Sequence, residues 1–113
     1  MNIDFKGYNE NIITLKADST LPEGTQGVTV TISGQGTATL APDNSFVLGV
    51  CLSVRNGYES VQTTGYTRVK TTGKLTPGCR AILSDGKGGV KASDSGKLHF
   101  VLDSTDNEAG ILF

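Results

Sequence analysis

The chain has 113 residues, 36% of them hydrophobic and 19% charged, with a formal net charge of −1. That length suits one domain around one core, and the composition is too apolar and too evenly charged for a disordered chain. No run approaches the ~18 apolar residues of a membrane-spanning helix, and no segment shows the charged start, apolar middle and small-residue cleavage site of a secretory signal.

Gly, Ser and Thr together make up about a third of the chain, with 15 Gly alone, which favours short strands and tight turns over helices. Residues 1–24 are polar and Asn-rich, with one apolar patch at Ile12-Ile13-Thr14-Leu15. They read as an N-terminal arm ahead of a single β domain over 25–113, or equally as an edge strand flanked by loops. Val28, Val30 and Ile32 alternate with Thr29 and Thr31, the period of a half-buried strand. Thr37–Leu40 returns as a second strand, and Ala41-Pro42-Asp43-Asn44 breaks it. Phe46, Leu48, Val50, Leu52 and Val54 then alternate over nine residues, with neighbours small enough to be buried as well. Asn56-Gly57 suits a type I′ turn, so a hairpin is expected over about 46–70. Gly65 inside its second strand marks a bulge or bend. Thr76-Pro77-Gly78 is a turn, Cys79–Leu83 a strand and Asp85–Gly89 a Gly-rich loop into Val90-Lys91-Ala92. Leu98, Phe100 and Leu102 alternate with His99, Val101 and Asp103, and the chain ends on apolar Ile111-Leu112-Phe113. The expected fold is all-β: a small β-barrel or β-sandwich of about eight short, mostly antiparallel strands with an extended N-terminal arm.

Little in this pattern carries chemistry. His99 is opposite in parity to Leu98 and Phe100, so it is expected to face solvent or a neighbour, and no acid or nucleophile stands near it in sequence. Gly86-Lys87-Gly88-Gly89 lacks the spacing, the Ser/Thr and the following helix of a phosphate loop. The acidic loop Asp103–Glu108 lacks calcium-loop spacing. Tyr8, Tyr58 and Tyr66 with Arg55 and Arg68 offer a stacking platform for sugars or bases, the basis of an alternative reading as a non-catalytic carbohydrate- or ligand-binding β domain on a cell or virion surface. Cys51 and Cys79 are read as reduced thiols, Cys51 as a small core residue. No catalytic residue, metal ligand or cofactor is expected, and the chain is not read as an enzyme. Charge is segregated: net −3 over 1–54, +5 over 55–97 and −3 over 98–113. The basic block includes Arg55, Arg68, Lys70 and Arg80, a surface for an acidic partner. A sequence pI of about 5.7 speaks against nucleic acid as that partner.

One order of motifs resembles a known family. Asn44–Leu52 precedes Asn56-Gly57, then Val61-Gln62-Thr63-Thr64-Gly65-Tyr66-Thr67-Arg68-Val69, the turn Leu75-Thr76-Pro77-Gly78-Cys79-Arg80, the loop Asp85–Val90 and the apolar tail Ala109–Phe113. Over about 44–113 this is similar to the capsid decoration (cement) proteins of tailed bacteriophages and their prophage relatives. The resemblance implies a structural virion protein made in the host cytoplasm and bound to the outer capsid surface. It implies homotrimers that contact the major capsid protein and bridge neighbouring capsid subunits; apart from it, composition and motifs give no expectation of a membrane, nucleic-acid or cofactor partner. By position in the chain, it assigns the arm's apolar anchors to Ile12, Ile13 and Leu15.

Overall fold

The computed structural model describes residues 11–113. Its strands are β1 (Asn11–Ala17), β2 (Thr29–Gly34), β3 (Thr37–Leu40), β4 (Gly49–Arg55), β5 (Tyr58–Thr64), β6 (Tyr66–Lys70), β7 (Gly78–Ser84), β8 (Val90–Ala92), β9 (Lys97–Ser104) and β10 (Glu108–Leu112). Among the described residues, then, there are ten strands where about eight were expected. They form two sheets: a closed barrel in the order β1-β3-β2-β4-β5, and a five-stranded sheet in the order β6-β10-β9-β7-β8. The fold is the expected all-β one, a barrel with a second sheet laid against it. No helix among the described residues is long and apolar enough to cross a membrane.

The segment expected as an arm enters the barrel from Asn11 onward. β1 runs antiparallel to β5, from Asn11 opposite Thr64 to Lys16 opposite Tyr58. It closes the barrel through a short parallel pairing with β3, Lys16 to Thr37 and Ala17 to Ala38. Leu21 then drops into the core at 2% exposure. Asn11–Ala17 is therefore a strand of the barrel followed by a loop, the second of the two readings of this segment. Residues 1–10 of the expected arm lie outside the described residues.

β4 explains how the two sheets share one body. Cys51 and Val54 join Leu21, Val30, Ala38 and Val61 inside the barrel. Val50, on the opposite face, joins Val69, Leu75, Ile82, Val90, Val101, Ala109 and Ile111 between the sheets. A strand buried on both faces reads as a nearly continuous apolar run, which is the pattern seen over 46–54. Gly49 opens this strand because a Cβ there would stand 2.2 Å from the Gln62 carbonyl oxygen.

The expected hairpin is present at β4–β5, with Asn56 at φ 54° and Gly57 at φ 80°, the two positive angles its turn requires. It ends sooner than expected. Gly65, at φ 97°, redirects the chain so that β6 leaves the barrel and starts the second sheet. Gly65 is held there by paired backbone bonds with Phe113, at 3.3 and 3.0 Å. Buried hydroxyls fasten sheet to barrel: Thr29 Oγ1 donates to the Gly89 carbonyl at 3.0 Å, and Ser84 Oγ to the Ala41 carbonyl at 2.9 Å.

Candidate docking surface

The outer face of the second sheet is the least ordinary surface of the molecule. β9 turns Val101 (2% exposed) and His99 (9%) inward, and leaves Leu98 (62%), Phe100 (56%) and Leu102 (40%) outside. Of the two expectations for His99, solvent or a neighbour, the structure has the neighbour. Directly opposed residues share a face of a sheet. Val101 lies opposite Ile111 on β10, and Ile111 is fully buried. Phe100 lies opposite Leu112 on β10 and Cys79 on β7, while Leu112 lies opposite Tyr66 on β6. Tyr66, Leu112, Phe100 and Cys79 thus cross four strands in one outward row. The inner space is already taken: the His99 ring meets that of Phe113, with centroids 5.0 Å apart. Burial holds the His99 imidazole below its ordinary pKa, opposed by a backbone hydrogen bond at Leu112 and aided by Lys97.

A polar cluster borders this row. Arg68 Nη1 lies 2.9 Å from Asp103 Oδ1, its Nε pairs with Glu108, and Nη1 donates to the Tyr66 hydroxyl at 3.2 Å. The four residues expected as a basic surface do not form one patch. Arg68 is neutralised by two acids, and Lys70 lies opposite Glu108 in register. Arg80 donates to the carbonyls of Thr76 and Pro77, each at 3.1 Å. Arg55 sits on the barrel, opposite Tyr58. Tyr58 and Arg55 are on one sheet and Tyr66 and Arg68 on the other, so the stacking platform is divided, and Tyr8 lies outside the described residues.

Of the expected arm anchors, Ile12 (52%) and Ile13 (42%) are exposed on β1, whereas Leu15 packs against the barrel core. The Gly86–Gly89 segment is the β7–β8 hairpin loop, shaped by Asp85 Oδ1 accepting from the amides of Lys87 at 2.8 Å and Gly89 at 3.0 Å. Cys51 is buried and Cys79 exposed, both as free thiols. No group of three or more His, Cys, Asp or Glu able to hold a metal occurs among the described residues.

One charged residue escaped notice in the sequence. Glu59 is 1% exposed inside the barrel, and neither carboxyl oxygen has a hydrogen-bond partner among the described residues. Burial, and then the charge of Asp18, push its pKa up to about 7. The Cys51 thiol is pushed up to about 11 by burial and then by Glu59. The signal was present in the alternation, since Glu59 has the parity of Val61 and points where Val61 points. No protein-family model matches this chain, and no curated protein matches it.

Proposed function

We propose that the chain is a structural virion protein that binds the outer surface of a phage capsid, as trimers, and stabilises the head by bridging capsid subunits. The observation that supports docking is the outward apolar row of Leu98, Phe100 and Leu102, next to Leu112 and Cys79. Apolar residues grouped on an otherwise polar surface mark interaction sites. The partner comes from the resemblance over 44–113. Trimers repeat one heterologous contact around a closed ring. Attachment of each trimer to a lattice makes its later contacts effectively intramolecular, so modest individual contacts suffice.

Titrating the protein onto expanded, undecorated heads of the cognate phage tests the reading. Saturable binding with a rise in the heads' melting temperature is expected. Phe100→Ser is expected to weaken binding while leaving the circular dichroism spectrum unchanged. Absence of both saturable binding and head stabilisation overturns the proposal.

A further inference from the structure

We propose that protonation of Glu59 latches the barrel at its β1–β3 seam: the neutral carboxyl keeps the seam shut, and its ionisation opens β1 away from β3. A carboxyl with no hydrogen-bond partner in an apolar interior is tolerated far better neutral than charged. Glu59 is held between Val54 of β4 and Leu15 of β1, its directly opposed neighbours. Its charge can therefore reach water only if a flanking strand moves.

β1 is the flanking strand with the weaker outer seam. Its pairing with β3 spans two residues, marked by Lys16 N to the Gly36 carbonyl at 3.0 Å and Asp18 N to the Ala38 carbonyl at 3.2 Å. β4 also meets β2 over two residues. That seam, however, is extended by Cys51 N to the Val28 carbonyl at 2.8 Å and Gly27 N to the Cys51 carbonyl at 2.7 Å, and Val50 anchors it in the second core.

The charges at the seam act in the same direction. Asp18 directly follows β1; burial, which raises its pKa, is outweighed by hydrogen bonds from Thr20, Thr39 and Ser33, so it stays ionised. The titratable groups that act on or feel Glu59 are Asp18, just past the end of β1, and Cys51 of β4. β2 and β3 contribute Val30, Ala38 and Leu40. Lys16 and Tyr58, in register with each other, are exposed, and no ion pair to Glu59 is present among the described residues. Ionisation releases the Glu59 proton to solvent and leaves two like charges beside the two-residue β1–β3 seam.

Amide hydrogen exchange followed by NMR from pH 5 to 8.5, corrected for intrinsic exchange rates, reads the latch in the wild-type protein. Protection of the Lys16 and Asp18 amides should fall about 10- to 100-fold over that range, with β7–β9 amides unchanged. The Glu59 carboxyl carbon shift should titrate over the same interval, and Glu59→Gln should make the Lys16 and Asp18 protection independent of pH. Flat protection in the wild type overturns the latch whether or not the variant folds. Equal loosening at β2–β4 overturns its placement at β1.

Discussion

Replacing Glu59 with Gln is expected to remove most of the barrel's loss of stability between pH 5 and pH 8. In the fold this carboxyl titrates at about 7 instead of 4.5, and a difference of that size corresponds to about 3 kcal/mol. The sign follows from which form the fold tolerates. The folded protein holds the proton more tightly than the unfolded chain does. The stabilisation is therefore complete below 4.5, is lost as pH rises, and is gone above about 7. His99 acts in the opposite sense. Its pKa is lowered from 6.5, so its contribution is complete above that value and is lost in acid. The two groups sit in different cores, so His99 cancels when the variant is compared with wild type at each pH. Urea denaturation of both proteins at half-unit pH steps is the assay. The gap should shift by about 2–3 kcal/mol in favour of Glu59→Gln from pH 5 to pH 8. Parallel curves, or a gap that moves the other way, would refute the buried neutral carboxyl.

The two faces of β9 make a second test. Val101→Ala, in the core, should cost about 2 kcal/mol, and Phe100→Ser should stay within about 1 kcal/mol, as read from urea midpoints. The reverse order would show that the strand's faces are exchanged. The glycines give a third. At Gly49 an added methyl would meet the Gln62 carbonyl oxygen at 2.2 Å, so Gly49→Ala should cost ~3 kcal/mol or more, at or above the upper end for overpacking. Gly57 has φ +80° and nothing within 4 Å of an added Cβ. Gly57→Val should then cost only conformational strain, about 1–2 kcal/mol. Thermal unfolding ranks the two, and equal losses would remove the steric argument at Gly49.

Much of the candidate surface was legible in sequence as a list of residues, but not as a surface. Leu98, Phe100 and Leu102 stood out as an alternating apolar set, yet Val101 lies on the other parity, so both faces of β9 carried apolar groups. Parity alone does not say which of the two faces is core. The basic residues were also visible, but their partners Asp103 and Glu108 lie 35 and 40 positions from Arg68, beyond any local pattern. The family resemblance supplied a partner class without any geometry for contact.

The sequence by itself determined that this chain is all-β, where Asn56-Gly57 turns it, and that β4 is apolar on both faces. Each of these depends on residues within a few positions of one another, through φ preferences and a period of two. The tertiary structure decided which face of β9 is core, where Gly65 passes the chain from barrel to sheet, and that β1 closes the barrel over Glu59. Those outcomes depend on register between distant strands, Val101 against Ile111 and Leu15 against Glu59. A one-residue change of register reverses every side chain on a strand, so the exposed row and the buried carboxyl exist only once the sheets have paired.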